Sequence, residues 1–336
     1  MKYYLAPLAG FTDSPFRTLC MMHPCDGAYT EMVSAAGLLH GSVPTHYLME
    51  TLAQEPAVAV QIFGATPEEM AAAAREVTEI SHRREDAGGR PFTEINLNAG
   101  CPMPRIRHDG AGADLVKYPE RVASLLRTIK ANTDLPMSLK TRLGPWPGDV
   151  KMFELLDAAE GEGCVKIIMH ARFVRGIHSG PLFYDLLGEL VQRAKIPVIG
   201  NGGVVDRATA EAMEKTGVAG VMVARGALAN PWIFDELAGG GAEAKRLKER
   251  DWRETFLLHL ELLEQYTAML AEKYPQNYFH DTEGYVLNMV RTHLVRYTAG
   301  QPGAALMRKH IASLESVEGV REFVQSAHGE RDERGK

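Results

Sequence analysis

The sequence predicts an α/β protein, a (β/α)8 TIM barrel with a C-terminal all-helical domain. Eight short apolar or β-branched runs, bounded by turn residues, recur along the first 225 residues, with segments of helical spacing between them. Only helical patterns follow Phe234. Runs that are apolar throughout, such as VKIIMH and GVMVA, are typical of parallel strands covered by helices. Eight such units favour a closed barrel over the alternative, a doubly wound sheet.

The predicted strands share short length and β-branched or apolar composition. They are Tyr3–Leu8, Ala28–Met32, Ala57–Phe63, Thr93–Asn98, Pro136–Thr141, Val165–His170, Ile196–Asn201 and Gly220–Ala224.

The clearest helices are predicted to begin near Pro67, Pro119, Val150 and Asp206. Proline suits the first helical turn, and Thr66 is placed to cap the helix that begins at Pro67. The glycine-rich segment LAGGGAEAK at 237–245 predicts a linker, which divides the chain into domains at 1–237 and 245–328.

Composition limits the class of protein. The 336 residues, with 45% hydrophobic and 24% charged side chains, suit a globular protein of more than one domain. A net charge of −6 argues against a basic coat, so any nucleic acid must bind a local face. Four scattered cysteines do not make a disulfide framework, and no signal peptide or membrane span is visible. We therefore expect a cytoplasmic protein. We expect no metal site, because Cys20, His23 and Cys25 lack a fourth ligand.

Polar and glycine residues follow nearly every predicted strand. The carboxyl ends of barrel strands form the active-site rim, so these residues are the candidates for function. They are Pro7, Leu8, Ala9, Glu31, Gln61, Asn98 with Cys101, Lys140 with Arg142, His170 with Arg172, Asn201 with Gly202 and Gly203, and Ala224 with Arg225 and Gly226.

The residue types indicate an anionic, heterocyclic ligand. Glycine loops after the seventh and eighth strands let backbone N–H groups approach a phosphate, which Arg225 could pair. Lys140 at a strand end calls for an anion, and Gln61 suits either the edge of a heterocycle or a structural role. Cys101 could be a nucleophile, a proton donor or a buried structural thiol, and the sequence alone leaves these roles open.

Several motifs, in order, resemble the tRNA-dihydrouridine synthase family from the first strand almost to the end of the chain. They are APLAG, NAGCP, LKTRLG, MHAR, IGNGG, VARGALANPWIF and MRKHIASL. The resemblance implies an FMN-dependent oxidoreductase that reduces the 5,6 double bond of uridine in RNA, most simply tRNA, with NADPH or NADH as reductant. It also implies a catalytic barrel domain that binds FMN and a helical domain that binds RNA.

The resemblance assigns roles to the rim residues. It implies FMN contacts from Pro7, Leu8, Ala9, Gln61, Lys140, His170, Asn201, Gly202, Gly203, Ala224 and Arg225. It makes Cys101 the catalytic proton donor and gives Asn98, Arg142 and Arg172 to the substrate. Candidates for RNA phosphate contacts are Arg105, Arg107, Arg291, Arg296, Arg308 and Lys309.

Four positions depart from the family pattern: Ala171, Phe173, Gly203 and Ala224. They leave the contacts to the base less well defined than the flavin site. Two alternatives stay open: an FMN barrel acting on a small molecule, like dihydroorotate dehydrogenase, and an RNA-binding homologue without catalysis. We expect a monomer.

Overall fold

The computed structural model describes residues 1–177, 179–239, 251–275 and 281–327. Its strands form one parallel sheet in which β2 pairs with both β1 and β4, so that eight strands close into a barrel. The strands are β1 (Lys2–Leu5), β2 (Gly27–Tyr29), β3 (Val33–Ser34), β4 (Val58–Phe63), β5 (Ile95–Ala99), β6 (Met137–Arg142), β7 (Lys166–His170), β8 (Val198–Asn201) and β9 (Gly220–Val223). The short β3 extends the edge of β4. The predicted (β/α)8 fold is confirmed.

The helices of the barrel unit follow the strands, and all but the short α5 bury residues in the core. They are α1 (Ser14–Met21), α2 (Ala35–Leu39), α3 (Val43–Tyr47), α4 (Pro67–Asp86), α5 (Pro104–His108), α6 (Pro119–Lys130), α7 (Met152–Gly161), α8 (Tyr184–Arg193), α9 (Arg207–Glu214) and α10 (Ile233–Gly239). Thr66 and Glu69 form a capping box at α4, as the predicted cap requires. Asp206 and Thr209 do the same at α9.

The first predicted strand is too long at its carboxyl end. It ends at Leu5, and the next residues turn into a loop in which the Leu8 N–H donates to Thr12 Oγ1 at 2.8 Å. Pro7 has no N–H for the ladder, so the strand pairing cannot continue through it. The observed loop places Pro7 and Leu8 partly exposed and Ala9 exposed at the barrel rim.

The chain divides into two compact units, and the second contains residues 228–231, 251–275 and 281–327 of the described chain. Its helices are α11 (Trp252–Lys273), α12 (Thr282–Tyr297), α13 (Ala304–Ser313) and α14 (Val317–Ser326). Their apolar faces meet in one core that includes Phe256, Leu260, Leu294 and Val320. The predicted linker falls largely on residues 240–250, and the end of the predicted second domain on 328, outside the described residues. Within those described, no helix combines the length and apolar composition that a bilayer span requires.

Candidate active site

The loop after β5 holds Cys101 in a fixed backbone arrangement. The N–H groups of Gly100 and Cys101 both donate to Asn98 Oδ1 at 3.0 Å, and the Cys101 carbonyl accepts from Ala113 N–H at 2.8 Å. Gly112 lies at φ +57, where an added Cβ would come within 2.9 Å of the Cys101 carbonyl oxygen. The position of the thiol is therefore determined by its neighbours.

The Cys101 side chain is partly buried. Burial raises the pKa of its thiol, while a Met103 backbone hydrogen bond and the positive charges of Lys140 and Arg142 lower that pKa less strongly. The thiol is therefore protonated at neutral pH. The positive charges of Lys140 and Arg142 can stabilise the thiolate that remains after the proton is transferred. This arrangement suits a proton donor better than a nucleophile.

A chain of hydrogen-bonded side chains runs from this loop through the barrel interior. Asn98 Nδ2 donates to Gln61 Oε1 at 2.8 Å, and Gln61 Nε2 donates to Asn96 Oδ1 at 2.6 Å. Asn96 Nδ2 then donates to Ser138 Oγ at 2.6 Å, which donates to Glu94 Oε1 at 2.7 Å. Its far end is an ion pair from Glu94 to Lys166 at 2.8 Å. The inner polar column consists of Asn98, Gln61, Asn96, Ser138, Glu94 and Lys166.

Sequence reasoning missed Asn96, Ser138 and Glu94. A signal was available, because Asn96 and Asn98 are two residues apart in β5, as Ser138 and Lys140 are in β6. Residues at that spacing in a strand face the same side. Polar side chains facing the inside of an otherwise apolar barrel must satisfy one another, which predicts such a column.

Lys140 extends into the site and makes one side-chain hydrogen bond with the described residues. Its Nζ donates to Asn201 Oδ1 at 3.1 Å, and Asn201 in turn donates to the Met222 carbonyl at 2.8 Å. Burial lowers the pKa of Lys140 to about 7, with a further lowering by the charge of Arg142. None of the ion pairs between described residues involves Lys140. An ammonium in this setting gains most from an anionic ligand.

Arg142 ties three rim segments together. Its guanidinium donates to the carbonyl oxygens of Gly100 at 2.8 Å, Ile177 at 2.7 Å and Phe173 at 3.3 Å. Its side chain is almost fully buried, and burial lowers its pKa to about 10, so it remains charged at neutral pH. These contacts position the cysteine loop, and the substrate role that the family resemblance implies stays a prediction.

His170 and Arg172 interact with each other at the end of β7. Arg172 Nη1 lies 3.2 Å from His170 Nε2, and Arg172 Nε donates to the Gly180 carbonyl at 2.7 Å. A guanidinium only donates, so His170 Nε2 is the acceptor and a neutral ring carries its proton on Nδ1. Burial lowers the pKa of Arg172, and the positive charge of Arg225 lowers it further.

The glycine loops after β8 and β9 have no room for larger residues. Gly202 and Gly203 have φ of +120 and +78, and an added Cβ would meet His170 Cδ2 at 2.8 Å or Leu182 Cδ1 at 2.4 Å. At Gly226 an added Cβ would lie 2.4 Å from the Val204 carbonyl oxygen. Only glycine therefore fits at these positions, and the N–H groups of the two loops are candidates for phosphate contacts.

The other predicted cofactor residues lie on neighbouring segments. Strands β1 and β9 pair, and the Ala6 N–H donates to the Val223 carbonyl at 2.8 Å. The loops that carry Pro7 to Ala9 and Ala224 to Arg225 therefore leave the barrel side by side. The structure thus gathers the predicted site residues at the carboxyl ends of the strands, while their contacts with a ligand stay predictions.

A closed parallel barrel with its polar and glycine residues at this rim defines the class, a (β/α)8-barrel enzyme. The family model described as dihydrouridine synthase matches residues 4–331. The chain belongs to the dihydrouridine synthase family, so the predicted family and its enzyme class, an oxidoreductase, are confirmed.

The similar proteins include a probable tRNA-dihydrouridine synthase of Treponema pallidum, 34% identical over 69% of this chain and 68% of its own length. A tRNA-dihydrouridine synthase B of Pseudomonas putida is 30% identical over 97% of this chain and 91% of its own. Among solved structures, an old yellow enzyme homologue from Zymomonas mobilis has 10% identity and a TM-score of 0.45, covering 68% of this chain and 86% of that one.

Proposed function

We propose that the protein reduces uridine in RNA, with tRNA as the substrate, to 5,6-dihydrouridine, using FMN and NADPH or NADH. The observation that carries the proposal is the fixed Cys101 loop on the rim, whose partly buried thiol lies within the influence of the positive charges of Lys140 and Arg142. The names of the relatives support tRNA as the substrate. Because the proposed substrate is tRNA, we propose that the protein acts in the cytoplasm.

The residues present fit FMN. Lys140 offers a partly buried ammonium whose only hydrogen-bond partner among the described residues is an amide oxygen, a setting that would suit an anionic isoalloxazine. The glycine loops at Gly202, Gly203 and Gly226 would supply backbone N–H groups to a phosphate, and the exposed Arg225 precedes Gly226 in the chain. When bound, FMN supplies the hydride that reduces carbon 6 of the uracil ring.

The chain's own residues supply the proton and the positioning. Cys101 Sγ donates its proton to carbon 5 of the uracil, so that hydride and proton together saturate the double bond. The thiolate left behind is stabilised by the charges of Lys140 and Arg142, which lower the pKa of Cys101. Asn98 holds the cysteine loop by accepting hydrogen bonds from the N–H groups of Gly100 and Cys101, and Gln61 fixes the orientation of the Asn98 amide.

The target nucleotide must leave its stack to reach this rim. We propose that exposed basic residues contact phosphates while it does so: Arg105 and Arg107 on α5, and Arg308 and Lys309 on α13. The second unit accordingly serves as the RNA-binding domain in this proposal.

The test replaces Cys101 with Ala. We expect bound flavin and its reduction by NADPH to be retained, while dihydrouridine in the RNA, measured by nucleoside mass spectrometry, falls at least a hundredfold, as for loss of a general acid. Cys164→Ala is the matched control, because Cys164 is a buried cysteine just before β7, away from the rim. It should keep wild-type product formation.

Loss of flavin from the Cys101→Ala variant would instead give the cysteine a structural role. A wild-type protein that binds FMN but leaves RNA unchanged would favour the small-molecule oxidoreductase. A protein that cannot be reconstituted with FMN would contradict the proposed function altogether.

A further inference from the structure

Trp146 is a large aromatic residue left exposed beside the site. It is 47% exposed, and it follows the end of β6, the strand that carries Lys140 and Arg142, by only four residues. Tryptophan is highly buried on average, so an exposed indole at a functional rim is a candidate for contact with a ligand. The family-derived roles of the rim residues do not include it.

The loop that carries Trp146 is tightly built. The Asp149 N–H donates to the Trp146 carbonyl at 2.8 Å, and the Lys151 N–H donates to the Leu143 carbonyl at 2.8 Å. An added Cβ at Gly144 would lie 2.1 Å from the Asp149 carbonyl oxygen, so the turn closes only with glycine there. The backbone thus presents the indole at a fixed place, which reduces the entropy lost on binding.

This loop is hydrogen-bonded to the loop after β7, whose carbonyl groups accept hydrogen bonds from Arg142. The Val174 N–H donates to the Gly144 carbonyl, and the Arg175 N–H donates to the Pro145 carbonyl, both at 3.0 Å. Arg142 in turn links that second loop to Gly100, next to Cys101. The Trp146 loop and the cysteine loop therefore belong to one hydrogen-bonded rim, with the exposed Arg175 beside Pro145.

We propose that the Trp146 indole stacks on an RNA base that flanks the target uridine, while Arg175 contacts a neighbouring phosphate. This inference rests on the proposed function and adds a subsite to it. An unstacked base is the expected neighbour of a flipped nucleotide, and it needs a flat aromatic surface with a cation nearby. A protein partner would call for a larger apolar patch than one indole.

The test compares Trp146→Ala and Trp146→Phe holoenzymes. Loss of one stacked base predicts a KM for tRNA about tenfold higher in the Ala variant, with the Phe variant within about threefold of wild type. Flavin content and the rate of flavin reduction by NADPH without RNA should be unchanged in both. Met22→Ala is the matched control, since Met22 is 51% exposed at the end of α1, where the chain returns to the amino end of β2.

Binding of labelled tRNA, followed by fluorescence anisotropy, separates this subsite from the reaction. A tenfold weaker Kd for tRNA in Trp146→Ala, but not in the control, supports the subsite. It does so even if the wild type forms no dihydrouridine, because that absence would contradict only the proposed function. Unchanged Kd and KM in Trp146→Ala overturn the subsite and leave the reaction standing. Slower flavin reduction with normal tRNA binding also overturns it, because the indole would then serve the nicotinamide dinucleotide.

Discussion

Lys140 and Lys166 both extend from barrel strands, but only Lys166 has a carboxylate partner, Glu94 at 2.8 Å. Replacing each with Met in the flavin-free protein should therefore change stability in opposite directions. The fall of the Lys140 pKa from its ordinary 10.5 to about 7 corresponds to at most about 5 kcal/mol of unfavourable charge burial. Partial solvation and the lost bond to Asn201 reduce this, so we expect Lys140→Met to stabilise the protein by about 2 kcal/mol at pH 7.

The pH dependence has a definite sign. Because the pKa of Lys140 is lower in the fold than in the unfolded chain, the unfolded chain binds more protons between about pH 7 and 10.5. The destabilisation is complete below about pH 7 and absent above about 10.5. The advantage of Lys140→Met should therefore shrink as pH rises through that window.

Lys166→Met leaves the 3% exposed Glu94 without its cation, which should cost about 3 kcal/mol. Urea denaturation of the three flavin-free proteins at pH 7 and pH 9 measures these differences. Equal destabilisation by both substitutions at pH 7 would refute the reasoning, since Lys140 would then be satisfied by the protein itself. In the holoprotein, Lys140→Met should weaken flavin binding while Lys166→Met should not.

Two further predictions concern the Arg142 contacts and the second unit. Arg142→Lys cannot serve the carbonyls of Gly100 and Ile177 together, so we expect a loss of about 3 kcal/mol of stability and a lower kcat at nearly normal flavin content, measured by urea denaturation and steady-state assay. An unchanged kcat would contradict a positioning role. Burial lowers the pKa of His293 to about 3 and that of His259 well below its usual value. Below about pH 6.5 the unfolded chain therefore binds more protons than the folded protein. The free energy of unfolding should fall as pH drops toward 3, by at most about 1.4 kcal/mol per histidine per pH unit. Thermal melts from pH 7 to 5 test this, and His293→Phe should flatten the dependence.

The strands were predictable because each buried strand is a run of apolar or β-branched residues with turn residues at its ends. The segment 33–47 was not, because β3 has two residues and α2 and α3 have five each, too short for a periodic pattern to emerge. The same holds for α5 at Pro104–His108. Such short pieces form because tertiary contacts fix them.

The residues of the candidate site were predictable as a group, since parallel strands of a barrel bring their carboxyl ends to one rim. Their side-chain partners were not. Arg142 was expected to face a substrate, yet its guanidinium donates to backbone carbonyls of two other loops, and these contacts depend on how those loops fold. Trp146 was missed because nothing in its local sequence tells whether the indole is buried or exposed.

The inner polar column also bears on how this enzyme can be changed. In many barrels the two ends of the strands have separate roles, stability at the amino ends and chemistry at the carboxyl ends. Here Glu94 and Asn98 are joined by unbroken hydrogen bonds through Ser138, Asn96 and Gln61. Laboratory evolution toward heat resistance that alters the lower members will therefore also shift the cysteine loop. A library that varies both ends together will find improved variants that one-ended libraries miss.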